Sequence, residues 1–270
     1  MKQFRSFFFT FFYLSAVQLF AQQDTVLNKQ AGEAAENPNN FFTRTELFNK
    51  VTALRNGGYL NATTFRTIIN LGKGFTTRFD IPVSYNSLPA PPGFNQFGLG
   101  DISIRVLGYK LIENPKSAIV ASLEMSFNTA SSPLLGTGKN ILIPTVTYSS
   151  MAKSRKTVVA LSALYFNSIS GDKLRPDINF SKLQFFLIHL ISRNTWYTIR
   201  PDWYFDHKYE GVSMNIDASI GHALTKKSNI WFRPGIGLFG NHPARYKWSL
   251  ELGYRKFLYT NPFKKSKKSQ

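Results

Sequence analysis

The sequence predicts an all-β protein, a closed antiparallel transmembrane β-barrel of about twelve strands. Three observations predict it. Polar and apolar residues alternate with a period of two through segment after segment, as in Asp101 to Lys110 (Asp-Ile-Ser-Ile-Arg-Val-Leu-Gly-Tyr-Lys) and Val212 to Ile220, which is the pattern of a strand with one wet and one oily face. The links between these segments alternate between short polar turns and longer stretches rich in Gly, Pro and Ser. The N-terminus reads as an export signal, and no other apolar run is long enough for a spanning helix.

The order along the chain follows from its ends inward. Lys2 and Arg5 precede an apolar run from Phe7 to Phe20, then Ala21 and the polar Gln22-Gln23-Asp24. A basic start, a hydrophobic stretch and a small residue at the cut assign 1–21 to a signal peptide, and the run falls short of the ~20 residues of a membrane anchor. Residues 22–42 are polar with little periodicity and read as a flexible periplasmic segment. The barrel is expected over 43–259, and 260–270, with Lys264, Lys265, Lys267 and Lys268, as a basic tail. The chain has no cysteine, so neither disulfides nor a cysteine-linked lipid anchor contribute.

Strands are expected at 43–55, 59–71, 75–86, 99–111, 117–128, 140–150, 156–167, 177–191, 196–206, 211–224, 229–239 and 244–258; ten or fourteen are the neighbouring even counts. Short turns fall at Gly72–Gly74, Glu113–Lys116, Ala152–Arg155, Ser192–Asn194 and Thr225–Ser228, and longer loops at 87–98, 129–139 and 168–176. A strand of about ten residues, tilted near 40°, covers the roughly 25 Å apolar band of an outer membrane.

Within strands the faces separate cleanly. Phe79, Ile81, Val83 and Tyr85 oppose Arg78, Asp80, Ser84 and Asn86; Leu250, Leu252 and Tyr254 oppose Ser249, Glu251 and Arg255. A charge facing mid-bilayer lipid costs about 2–4 kcal/mol, so the charged row is placed inside. Tyr59, Tyr85, Tyr109, Tyr148, Tyr165, Trp196, Trp203, Tyr246, Trp248 and Tyr254 are expected to form girdles at the membrane–water boundaries. Four prolines, Pro82, Pro144, Pro201 and Pro234, fall inside strands; each removes a ladder hydrogen bond, so bulges or lumen-side water are expected there. The stretch Leu183 to Ile191 is apolar on both faces apart from Gln184 and His189, which implies a phase slip or an inward apolar patch.

The interior row comprises Arg66, Arg78, Asp80, Asp101, Arg105, Glu124, Arg200, Asp202, Asp217, Arg233, Arg245, Glu251 and Arg255. Two readings fit it: a structural network filling a narrow barrel, or a polar pathway for a solute. The net charge of +18, or +16 without Lys2 and Arg5, is spread over turns and alternating positions rather than gathered in one stripe. Anionic lipid headgroups and lipopolysaccharide are therefore the expected partners, and nucleic acid is not. No catalytic residues, metal ligands or cofactor are expected: the zinc, Walker and dinucleotide motifs are missing, and no serine–histidine pair stands out among His189, His207, His222 and His242.

Gly98-Leu99-Gly100-Asp101 with its following strand to Tyr109-Lys110, and Phe127-Asn128-Thr129-Ala130 through Leu135-Gly136-Thr137-Gly138-Lys139, resemble barrels of the meta-pathway phenol-degradation transporter-like family. The resemblance covers about residues 59–258. It implies an outer-membrane transporter-like barrel, akin to hydrocarbon and fatty-acid channels, for a small and hydrophobic or aromatic solute. Asn128-Thr129-Ala130 stands where that family has a Pro-Thr-Gly type sequence, so the resemblance names no particular substrate. The expected location is the outer membrane of a Gram-negative-type envelope. Phe257 or Tyr259 is expected to be read by the barrel-insertion machinery, ahead of the tail. A surface lipid hydrolase and a structural barrel with a plugged lumen are the alternatives.

Overall fold

A sheet with one oily face and one charged face separates two environments, and inside an apolar layer it is stable only when no backbone edge is left unpaired. The computed structural model describes residues 41–89, 94–114, 116–154, 156–208 and 211–258. The expected signal peptide, nearly all of the 22–42 segment and the basic tail lie outside the described residues. The strands are β1 (Arg44–Ala53), β2 (Tyr59–Gly72), β3 (Phe75–Leu88), β4 (Phe94–Leu99), β5 (Ser103–Glu113), β6 (Ser117–Ser126), β7 (Lys139–Met151), β8 (Thr157–Gly171), β9 (Asn179–Leu190), β10 (Thr195–Asp206), β11 (Gly211–Thr225), β12 (Ser228–Phe239) and β13 (Trp248–Phe257).

Every pairing is antiparallel, and β1 joins both β2 and β13, from Arg44↔Phe257 to Ala53↔Trp248, which closes the ring. β4 and β5 follow one another along β3. They share one position in the ring, so the barrel is twelve-stranded. The sequence pattern treats 99–111 as one strand; the structure interrupts it at residues 100–102. There the Gly100 amide donates to the Pro82 carbonyl at 2.9 Å.

Each strand proline lies at a gap in one of its ladders. Pro82 lies where β3 changes partner from β5 to β4. Pro144 falls in the gap between Leu142↔Asn167 and Thr145↔Leu164, Pro201 between Ile199↔Leu187 and Asp202↔Gln184, and Pro234 between Asp217↔Gly235 and Ile220↔Phe232. Each proline keeps a continuous register on its other side. A residue with no N–H is thus accommodated by opening one ladder locally, without an edge.

The two faces invert the arrangement of a soluble protein. Leu47, Phe65, Phe79, Ile81, Val146, Leu161, Phe232 and Leu252 are exposed, whereas Glu46, Asp80, Asp202, Asp217, Glu251 and Arg255 are buried. An apolar exterior of that extent fits a surface set in an apolar layer. Tyr59, Tyr85, Tyr148, Tyr165 and Tyr254 are exposed on the same outer face, as girdle residues must be. Two expected girdle members do not belong to it. Trp196 is fully buried inside, where Gly221 leaves room for its ring. Tyr246 precedes β13 rather than lying in it, and turns inward to Asp217.

The doubly apolar stretch of β9 proves to be an inward patch with no phase slip. Ile188 and Leu190 pack with Val158, Trp196 and Phe257, flanked by Phe42, Met151 and Phe186. This cluster sits at the end of the barrel bearing the short turns. There Gly72, Lys73 and Gly74 all take positive φ, 84°, 50° and 79°, a tight reversal that two glycines make possible.

Candidate channel interior

Alternation in the strands places two belts of ion pairs on the inner wall. The first is centred on three carboxylates. Glu46 accepts from Arg255 Nε at 2.7 Å and Arg44 Nε at 2.8 Å, and lies 3.6 Å from Arg66. Arg66 binds both oxygens of Asp80 at 2.7 Å, the planar fork that guanidinium offers a carboxylate. Arg78 reaches past β5 to donate to Glu124, which Arg105 also approaches at 3.6 Å.

The second belt joins β9 to β13. Lys182 pairs with Asp202 at 2.8 Å, and Gln184 donates to the same carboxylate. Arg200 and the Tyr246 hydroxyl donate to Asp217. Arg233 and the Trp231 indole donate to Glu251 at 2.6 and 2.7 Å. The Arg255 guanidinium over the Trp231 ring, at 4.8 Å, links the belts. Each interstrand ion pair joins neighbouring strands or strands with one between them. Lys50 on β1 reaches further round the ring, where Asp217 on β11 is the charge that acts on it most.

Eleven members of the expected interior row lie in these belts: Arg66, Arg78, Asp80, Arg105, Glu124 and Arg255 in the first, and Arg200, Asp202, Asp217, Arg233 and Glu251 in the second. Asp101 and Arg245 do not. Arg245 lies outside the strands and donates to the carbonyls of Gly240 and Leu238.

Asp101, just after β4, binds a loop. Its carboxylate accepts from the Thr129, Ala130 and Thr137 amides and the Thr137 hydroxyl, at 3.3, 3.2, 2.6 and 2.9 Å. These contacts draw residues 127–138 onto the inner face of β3 and β4. Asn86 donates to Leu134 O at 2.6 Å, Leu135 is buried, and Arg175 from the next loop donates to Pro133 O. A Cβ on Gly136 would stand 2.4 Å from Asp101 Oδ1, and one on Gly98 2.1 Å from Ser131 Oγ. The two glycine-bearing segments singled out in the sequence are thus a single unit in space, and close approach is what requires their glycines.

Beside that loop, Phe166, Phe180, Tyr204 and His242 line the same end. Phe166 and Phe180 stack at 4.4 Å, and His242 meets Phe180 at 4.5 Å and Tyr204 at 5.2 Å. Burial pushes the His242 imidazole below its ordinary pKa of 6.5, against the opposing pull of Asp206. Its Nδ1 accepts from the Ala244 amide. Asp177, in the loop after β8, is held below the usual carboxylate range by a 2.7 Å hydrogen bond from the Lys139 ammonium and by its charge.

The expected row omits Arg44, Glu46, Lys50, Lys182 and Tyr246. Arg44, Glu46, Phe48 and Lys50 share the inner parity of β1, but an intervening phenylalanine and polar Thr45 and Asn49 on the outer side blur the alternation. Lys182 shares parity with Gln184 inside the doubly apolar stretch.

On the outer wall, Ser181 Oγ and His207 Nε2 are 2.7 Å apart, a pair that sequence position did not reveal. Thr157–His189 and Thr195–His222 make similar contacts at 2.8 and 2.9 Å. Among the described residues no third side chain orients His207 through its other nitrogen, which nucleophilic catalysis requires. Among the described residues the contact is one of three hydroxyl–imidazole pairs between strands or at strand ends.

No protein-family model and no curated protein matches the chain. Solved structures do. The COG4313 outer membrane channel from Pseudomonas putida F1 aligns with a TM-score of 0.67, over 82% of this chain and 99% of that one, at 13% identity. The fold is that of an outer-membrane barrel. The NanC porin aligns at 0.58 over 79% of this barrel's chain and 99% of its own, at 10% identity. The KdgM porin in complex with disordered oligogalacturonate aligns at 0.54, over 79% and 98%, at 9% identity.

Proposed function

We propose that the protein is a passive outer-membrane channel for small molecules, with the long loops outside the cell and the short turns in the periplasm. One observation carries this reading: a closed barrel with an apolar exterior holds its ion pairs, among the described residues, between neighbouring strands or strands with one between them. A network built to plug the lumen would link opposite walls. A polar lining lowers the cost of moving a solute through the apolar layer without energy input. The similarity to channel and porin folds supports the reading.

The inward-folded 127–138 loop narrows the outer mouth and selects among solutes, together with the aromatic residues beside it. Lipid and lipopolysaccharide surround the outer wall, and the C-terminal aromatics serve insertion. Planar-bilayer recording and liposome swelling with purified protein test the proposal. Stepwise conductance and solute-dependent swelling are expected; silence toward ions, sugars and aromatic solutes alike overturns it in favour of a structural barrel.

A further inference from the structure

We infer that the channel prefers anions and that its solutes are small aromatic carboxylates, an inference that rests on the channel reading above. The two belts contain nine basic side chains (Arg44, Lys50, Arg66, Arg78, Arg105, Lys182, Arg200, Arg233 and Arg255) and six acidic ones (Glu46, Asp80, Glu124, Asp202, Asp217 and Glu251). The excess of three positive charges lies within one apolar-walled cylinder, where field lines are focused rather than screened by surrounding water.

The geometry sharpens the imbalance. In each interstrand pair of the belts the base is more exposed than its acid. Arg66 is 26% exposed against 12% for Asp80, Arg105 26% against 13% for Glu124, and Arg200 19% against 3% for Asp217. The cause is side-chain length: Asp and Glu stay against the sheet, while guanidinium groups extend further from it. A solute in the lumen meets cationic groups in front and carboxylates behind. Lys50 adds a cation with no ion-pair partner within 4 Å among the described residues; its ammonium lies over the Tyr246 ring at 5.1 Å. Arg105 and Arg78 converge on a single oxygen of Glu124.

The second requirement, an aromatic body, comes from the outer mouth. Phe166 and Phe180 are only half-buried, and the cluster they form with Tyr204 and His242 continues directly into the second belt, because Lys182 Nζ lies 5.4 Å over the Tyr204 ring. A ring packed against Phe180 would direct a carboxylate toward Lys182 and Arg200. A neutral hydrocarbon would use only the first half of this surface, and an inorganic anion only the second.

The test uses the full-length mature protein in planar bilayers. Under a tenfold KCl gradient the reversal potential should indicate chloride permeability exceeding that of potassium by about threefold or more, given the tenfold and larger enrichments that focused fields produce. Benzoate should permeate or block at concentrations at which phenethylammonium does neither. Lys50→Gln combined with Arg105→Gln should bring the chloride-to-potassium ratio toward one while conductance persists. Phe180→Ala should abolish the benzoate effect and leave the chloride preference intact. Heat-modifiable migration on gels verifies that each variant is folded. A conducting pore that prefers potassium, or one indifferent to benzoate, overturns this inference and leaves the channel standing; a silent bilayer overturns the channel itself.

Discussion

The two ends of the barrel are secured by different physics. At the short-turn end, Val158, Ile188, Leu190, Trp196 and Phe257 exclude water from an apolar cluster, and tight turns leave little chain to move. At the long-loop end, the 127–138 loop is tied by hydrogen bonds to Asp101 and Asn86, with Lys139–Asp177 and the His242 contacts close by. Apolar burial is non-directional and carries no titratable group. Polar ties are directional, individually modest and titratable. The difference assigns rigidity to one end and adjustability to the other.

The largest expected effect lies at the rigid end. Trp196→Ala removes a fully buried indole and should cost about 3–5 kcal/mol. The temperature of the heat-modifiable gel shift should fall by roughly 10 °C, at about 2–4 °C per kcal/mol for a protein of this size. Single-channel conductance should change little, because the belts are untouched. A conductance change as large as the stability change would mean that the apolar cluster, rather than the outer loop, sets the constriction.

Asp101→Ala addresses the adjustable end. Four donors lose one acceptor, a local loss of about 1–3 kcal/mol, in a segment that carries little of the barrel's overall stability. The expected result is a larger, noisier conductance and faster tryptic cleavage after Lys139, with the melting temperature nearly unchanged. Unchanged conductance would show that the loop does not narrow the path.

These contrasts show what the sequence could convey. Alternation exposed the faces, the turns and the twelve strand positions, because parity acts residue by residue. Asp80, Glu251, Arg66 and Arg200, which it put on the inner row, lie in the two belts. It could not distinguish Asp101 from them: that residue has strand-like neighbours, but the strand breaks at Gly100, and only the three-dimensional meeting of two segments gives its carboxylate a loop to bind. Trp196 misled for the related reason that an aromatic near a strand end belongs to a girdle only if its parity points outward. Tyr246 misled because β13 begins two residues after it, so parity did not apply. The glycines of the 98–101 and 136–138 segments were visible as motifs, but the contact between Gly136 and Asp101 that explains them spans more than thirty residues.

Acidification should act selectively on the loop end. His242 has a folded-state pKa below 6.5 because burial disfavours its charge. An opened loop therefore takes up a proton first, and the stability contributed by neutral His242 is present above about pH 6.5 and is lost as pH falls below it. Protonation also removes the Nδ1 acceptor of the Ala244 amide. Asp177, with a depressed pKa, adds a contribution present above the ordinary carboxylate range and lost only in more acid solution, as pH falls through its folded-state value. Amide exchange in residues 240–247 should accelerate between about pH 6.5 and 5, ahead of residues 172–178, while the short-turn end remains protected throughout. His242→Gln should remove the first step. Simultaneous loosening of both ends would contradict the division drawn above.

The smallest expected effect concerns the outer wall. Ser181 and His207 are within hydrogen-bond distance, yet two threonine–histidine pairs repeat the contact elsewhere, and threonine there implies no nucleophile. If the contact only ties β9 to the chain after β10, Ser181→Ala should alter stability by no more than about 0.5 kcal/mol, as for other exposed positions. Fatty-acid release from phosphatidylcholine vesicles should stay at background for both proteins. Release by the wild type that Ser181→Ala abolishes would instead give the outer wall a chemistry of its own, independent of the path through the interior, and would require a partner for the second nitrogen of His207.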